Sequence, residues 1–323
     1  MAAEQTVDLL GEPYVAETIT LPPDEEGEVV ATLVARRATS PAHRAVLHVH
    51  GFNDYFFQTV AADFWVSRGY DFYALDLRKY GRSLRPHQTP NFVTDLADYF
   101  AELDLALELI RERDGHTEVV VFAHSTGGLV TALWLDARRS EADGAVAALV
   151  LNSPWLDLHG PLWLRTVGTR VVDRVGARQP MRELRRSVTS LYGASLHRDH
   201  GGEWDYDLAW KPLESWPVRL GWLRAVRRGH AAVRRGLSLD VPTLVLCSDR
   251  SCHSTVWEPD VDCTDTVLDV ELMAQRAPLL STHLTLVRVP GALHDVTLSR
   301  EPARIRAFEE LARWLSAYVD GEG

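Results

Sequence analysis

Hydrophobic positions along the chain fall into two kinds of run that take turns. Six short stretches, 45–51 (AVLHVHG), 71–77 (DFYALDL), 118–125 (EVVVFAHS), 146–153 (VAALVLNS), 243–248 (TLVLCS) and 284–291 (LTLVRVPG), are apolar through most of their length and read as buried strands. Two more, 14–21 (YVAETITL) and 27–36 (GEVVATLVAR), lie close together near the start and read as an antiparallel pair. Between the strands come longer segments of helical period. Leu96, Phe100, Leu103, Leu107 and Ile110 make one stripe, stopped by Gly115, and Ile305, Phe308, Leu311, Trp314 and Leu315 make another, with Pro302 in its first turn. Strand and helix in alternation predict an α/β protein: an eight-stranded, mostly parallel sheet with helices on both faces.

Residues 154–236 break this rhythm. They are helical in pattern, rich in Arg and Trp, and hold no convincing buried strand, so they read as a helical cap between a first core part, 1–153, and a second, 237–323. Six of the ten tryptophans fall there, Trp155, Trp163, Trp204, Trp210, Trp216 and Trp222. They either line an apolar cleft or build the cap's own core. The arginines at 174, 178, 182, 185 and 186, and at 224, 227, 228, 234 and 235, read as a solvated helix face.

Composition narrows the picture only a little. With 46% hydrophobic and 24% charged residues over 323 positions, the chain has the material for one large core. A net charge of −11 speaks against nucleic acid as a partner. The acidic start lacks a secretory leader, and no apolar run reaches the roughly 18 residues that span a bilayer, so a cytoplasmic protein without an integral membrane segment is expected. Cys247, Cys252 and Cys263 are too few for a disulfide framework and read as free thiols. Oligomeric state is not legible.

Candidate chemistry centres on Ser125. The strand ending at His124 turns at this serine into a helical stretch, which approaches the G-x-S-x-G elbow with Ala123 in place of the first glycine and Gly127 and Gly128 following. His50-Gly51-Phe52 ends an earlier strand, where backbone N–H groups of Phe52 and Thr126 would form an oxyanion hole. His50, Gly51 and Trp155 are expected beside the substrate. His294 follows the last strand and fits a general base in the order Ser, acid, His. Two aspartates compete as the acid. Asp249 directly follows a strand, but it lies 45 positions before His294, whereas Asp265 lies 29 before, closer to what one acid loop, one helix and one strand require. Asp265 is favoured, which makes 250–264 an insertion. Its Cys252, His253, Asp260, Asp262 and Cys263 match no zinc spacing, and no metal or other cofactor is expected.

The segments HGFNDY, LDLRKYGRS, AHSTGG, DTVLDVE and GALH resemble the monoacylglycerol lipase and lysophospholipase-like branch of the α/β-hydrolases, often grouped with serine aminopeptidases, over about residues 40–315. The resemblance implies a cap over an acyl pocket, cofactor-free hydrolysis, and a structural role for Leu77 to Ser83 beside the oxyanion turn. Together these readings predict a serine hydrolase cleaving small-molecule esters with an apolar acyl group. An amidase or aminopeptidase, with Glu203, Asp205 or Asp207 anchoring an amine, and a non-catalytic binding protein are the alternatives.

Overall fold

The computed structural model describes residues 5–139, 145–158, 169–184 and 190–321. Nine strands form one sheet: β1 (Gln5–Val7), β2 (Val15–Asp24), β3 (Gly27–Arg36), β4 (Arg44–Val49), β5 (Asp71–Asp76), β6 (Glu118–His124), β7 (Ala148–Asn152), β8 (Thr243–Ser248) and β9 (Leu284–Val289), in the order β1-β2-β3-β5-β4-β6-β7-β8-β9. Pairings from β1 to β5 across β2 and β3 are antiparallel, and all those from β5 onward are parallel. The eight expected strands are all present. The ninth, β1, is three fully exposed residues at the sheet edge, too short to carry a hydrophobic pattern.

Alternate residues of the central strands feed two cores, as the pleat demands. Leu47, Val49, Val121, Ala123, Leu149, Leu151 and Val245 face the layer built on helices α2 (Phe100–Glu108) and α3 (Thr126–Ala137). Val46, Val120, Phe122, Val150, Leu244 and Leu246 face α1 (Thr59–Ser67) and α8 (Glu301–Tyr318), which contribute Trp65, Ala307, Leu311 and Trp314. The 93–113 stripe divides into a short 3₁₀ turn, α2, and a last π turn at 109–113.

Between β7 and β8 the α-helices among the described residues are α4 (Thr169–Arg178), α5 (Leu191–Leu196) and α6 (Leu220–Arg235), and the other described residues there are mostly turns and irregular chain. Trp163, Arg185 and Arg186 lie outside the described residues. The arginines of α6 are not all a solvated face. Arg227 is 3% exposed, and with Arg234 it reaches the fully buried carboxylate of Asp157, which also takes Arg276 from α7 (Val270–Arg276), at 3.0–3.1 Å. A helical period locates such residues on one face but does not say that a buried acid waits beneath it. No helix among the described residues is long and apolar enough to cross a membrane.

His48, in the middle of β4, is enclosed by Phe122, Phe56 and Phe72, with ring centroids 5.2, 6.0 and 6.1 Å away. Neither ring nitrogen has a hydrogen-bond partner among the described residues. Burial pushes its pKa from 6.5 down to about 4. Below pH 6.5 the unfolded chain therefore binds a proton that the folded chain refuses, and stability declines until the pH reaches about 4. His48→Leu is expected to raise the unfolding free energy at pH 7 by about 1 kcal/mol and to flatten that decline, measured by urea denaturation across pH 4–7.

Candidate active site

Buried β6 delivers the chain into α3 through a single residue, Ser125, whose φ of 50° and ψ of −116° lie outside the comfortable regions for an L-residue. Such a conformation costs about 1–3 kcal/mol and persists only where the surroundings enforce it. Here the Ser125 N–H donates to the Asn152 carbonyl at 3.0 Å, and the Ser125 carbonyl accepts the N–H groups of Gly128 and Trp155 at 3.1 and 3.0 Å. The close approach explains two glycines. A Cβ on Gly127 would stand 2.3 Å from the His50 carbonyl oxygen, and one on Gly51 would stand 2.9 Å from the Ser125 Cβ. Ala123 meets no such demand: it lies within β6, in register with Val49 and Leu151, and its methyl joins the core.

The loop after β9 places His294 so that Nε2 is 3.0 Å from Ser125 Oγ and Nδ1 is 2.9 Å from Asp265 Oδ2. Asp265 is fully buried, and its other oxygen accepts the N–H groups of Val267 and Leu268, both at 2.8 Å. The 250–264 segment lies against it: Asp265 N–H donates to the Arg250 carbonyl, and Cys252 N–H to the Asp265 carbonyl. Asp249 instead accepts the Gly291 N–H at 3.3 Å, so it braces the histidine loop. The candidate metal ligands of the insertion are engaged elsewhere. Cys252 bonds Glu258, Asp260 pairs with Arg250, Asp262 pairs with Arg300, and all three cysteines are free thiols.

His50 and Gly51, expected beside the substrate, brace the turn itself. His50 is 1% exposed, and Leu77 N–H, which can only donate, meets its Nε2 at 3.0 Å. Its proton therefore sits on Nδ1, which donates to the Gly51 carbonyl at 2.8 Å. That carbonyl shares a planar trans peptide with the Phe52 N–H, so the imidazole sets the direction in which this N–H points. Neither the Phe52 nor the Thr126 N–H is taken up by a hydrogen bond among the described residues. The 77–83 loop packs alongside: Asp76 accepts the Phe56 N–H and pairs with Arg82.

Several residues at the site carried no sequence signal. Asn152 takes Ser125 N–H and His124 Nδ1 on its carbonyl, while its amide bonds Asp295 at 2.6 Å and the Val296 N–H at 3.0 Å, so nucleophile strand and histidine loop share one clamp. Burial lowers the pKa of His124, whose ring lies 4.8 Å from that of His294. Tyr192 of α5 sets its ring edge-on to His294 at 5.4 Å. The tryptophans of 154–236 meet residues on both sides of that segment's boundary. Trp222 packs with tilted rings against Phe52 at 4.1 Å and Trp155 at 5.8 Å, whereas Trp204 donates to the Leu298 carbonyl and Trp210 packs on Tyr55.

A family model described as serine aminopeptidase, S33, matches residues 40–303. The chain belongs to that family of hydrolases. No curated protein matches its sequence. Among solved structures, it is similar to a soluble variant of monoglyceride lipase from Saccharomyces cerevisiae in complex with a substrate analog, with 16% identity, 99% of this chain and 97% of that one covered, and a TM-score of 0.65. It is also similar to a monoacylglycerol lipase from Paleococcus ferrophilus, with 17% identity, 88% and 99% coverage and a TM-score of 0.62. A third similarity is to Est1E from Butyrivibrio proteoclasticus with ferulic acid bound, with 13% identity, 94% and 100% coverage and a TM-score of 0.59. At these identities the likeness establishes the α/β-hydrolase fold, with its sheet and flanking helices.

The two aspartates are separable by experiment. Asp265→Asn leaves the shape intact but removes the charge facing His294, and should slow fluorophosphonate labelling of Ser125 by about 10³-fold or more. Asp249→Asn, which alters the hydrogen bond to the Gly291 amide, should slow it less than tenfold. The opposite ranking would make Asp249 the acid.

Proposed function

We propose that the chain is a carboxylic ester hydrolase acting through an acyl-enzyme on Ser125. The observation that carries this reading is the unbroken line of hydrogen bonds from Ser125 through His294 to Asp265, with the N–H groups of Phe52, next to Gly51, and of Thr126, next to Ser125, left without partners among the described residues. Ser125 Oγ attacks the ester carbonyl as its proton passes to His294 Nε2, and Asp265 holds the imidazole by Nδ1 and stabilises its charged form. The developing oxyanion is met by the N–H groups of Phe52 and Thr126, each typically worth about 3 kcal/mol of barrier. His294 then protonates the leaving alcohol, and water repeats the cycle on the acyl group.

Residues 154–236 serve as the cap in this proposal. The Phe52, Trp222 and Trp155 rings suit an apolar acyl or aromatic group beside the nucleophile. The carboxylates considered as an amine anchor favour the ester reading over the aminopeptidase one. Glu203 is paired with Arg300 and Arg304, Asp205 with Arg198, and Asp207 caps the Ala209 N–H. None of the three is directed at the triad by these contacts.

A series of p-nitrophenyl esters of graded acyl length, run beside aminoacyl anilides, tests the proposal. Esters are expected to turn over at least a hundredfold faster than anilides, with kcat/KM varying with acyl length, and Ser125→Ala should lower kcat by 10⁴-fold or more. Faster cleavage of the anilides would reverse the assignment, and a flat response to acyl length would remove the apolar pocket from it.

A further inference from the structure

The stretch just beyond the oxyanion turn is fastened by the segment that precedes α6. Asn53, at a φ of 53°, donates from Nδ2 to the Pro212 carbonyl at 3.1 Å and accepts the Trp216 N–H on Oδ1 at 3.1 Å. Tyr55 Oη accepts the Asp207 N–H at 2.7 Å. Lys211 lies at the centre of this seam. Its Nζ donates to the Asn53 carbonyl at 3.3 Å and to Asp54 Oδ1 at 3.0 Å, and the two side chains are 6% and 2% exposed. The rings of Tyr192, Tyr206 and Phe57 surround the ammonium at 5.6–5.8 Å. Gln58 Nε2 meets the other Asp54 oxygen at 3.4 Å.

Desolvating a lysine and an aspartate costs several kcal/mol, and hydrophobic packing of the same volume stabilises a fold at least as well, so stability alone gives no reason for this pair. Its location does supply a reason. The bonded peptide, Asn53-Asp54, follows directly on Phe52, whose N–H is proposed above to meet the oxyanion. Tyr192, one wall of the aromatic enclosure, also presents its ring edge to His294. One buried ammonium thus touches the supports of both the oxyanion turn and the base.

We infer that Lys211 is a positioning residue: bridging Asn53 and Asp54 to the 207–216 segment, it holds the Phe52 N–H in register with Ser125, so that this segment forms part of the hydrolytic apparatus rather than a detachable cover. The inference rests on the oxyanion role given above to Phe52. It requires that loss of Lys211 weaken stabilisation of the tetrahedral state more than binding of the ground state. A displacement of about 1 Å at such a site costs up to about a hundredfold.

The test compares Lys211→Met, Lys211→Arg and the double variant Lys211→Met with Asp54→Asn, the last leaving no unpaired buried carboxylate that would undermine folding. For each, kcat and KM on a p-nitrophenyl ester are measured with the inhibition constant of a trifluoromethyl ketone, which forms the tetrahedral adduct, and that of the carboxylic acid product. Expected for the double variant are a cooperative thermal transition, kcat lowered ten- to a hundredfold, ketone affinity lowered in parallel, and KM and product affinity within threefold of the parent. Lys211→Arg should recover part of kcat. A folded double variant with kcat and ketone affinity within twofold of the parent, or with ketone and product affinities falling together, would overturn the inference. The parent and Ser125→Ala controls separate the two levels. If Ser125→Ala retains turnover, the hydrolase reading of the site fails; if it loses turnover while the double variant does not, only the role of Lys211 fails.

Discussion

At the end of β6 the chain reverses into α3 within one residue, and that turn governs the placement of every other group at the site. A residue held at a φ of 50° stores strain, and four backbone hydrogen bonds at Ser125, reaching to Asn152, Gly128, Leu129 and Trp155, offset it. The turn brings α3 so close to the strand-end loop at 50–51 that no Cβ fits on Gly127 or Gly51. Close approach in turn packs the 50–51 turn against the start of α3. The first elbow glycine is dispensable here because residue 123 still lies in regular strand, where the core accepts a methyl group.

Around this turn the polar contacts have a common purpose, control of peptide planes in loops that no sheet ladder supports. His50 orients the peptide that carries the Phe52 N–H, Asn152 ties Ser125 to the histidine loop, and Asp249 braces that loop at Gly291. Each such bond contributes only about 1 kcal/mol to stability, so their value lies in the geometry they impose. The same logic extends to the Asp157 cluster beneath α6. There burial, with the Arg227 charge added, lowers the His230 pKa to about 3, keeping the ring neutral and able to join its neighbours, with Nε2 2.9 Å from the Trp155 carbonyl.

The 250–264 segment shows how a long loop between β8 and Asp265 is accommodated. Its ends pair with each other across the Ser251 and Asp265 bridge, so it leaves and rejoins the core beside the acid without displacing it. Its later part is held by Arg300, which reaches Asp262, Glu203 and the Gly201 carbonyl. An added loop of this kind costs little once its entry and exit lie side by side, since closure entropy grows only slowly with length.

What the sequence determined by itself was whatever depends on local pattern and on spacing along the chain. Buried strands, the two long helical stripes, the strand-to-helix turn at Ser125 and the preference for Asp265 over Asp249 all followed from periodicity and element length, and the structure has the same strands, the same turn and Asp265 against His294. The three-residue edge strand escaped because exposed residues carry no hydrophobic period. Tertiary structure alone decided which polar side chains are buried and against what. His50 bonds the Gly51 carbonyl, Arg227 left the solvent for Asp157, and Lys211 found Asp54 across 157 positions. Most buried polar groups are paired, and their partners come from whichever loops the sheet order brings together, a proximity that periodicity along the chain does not encode.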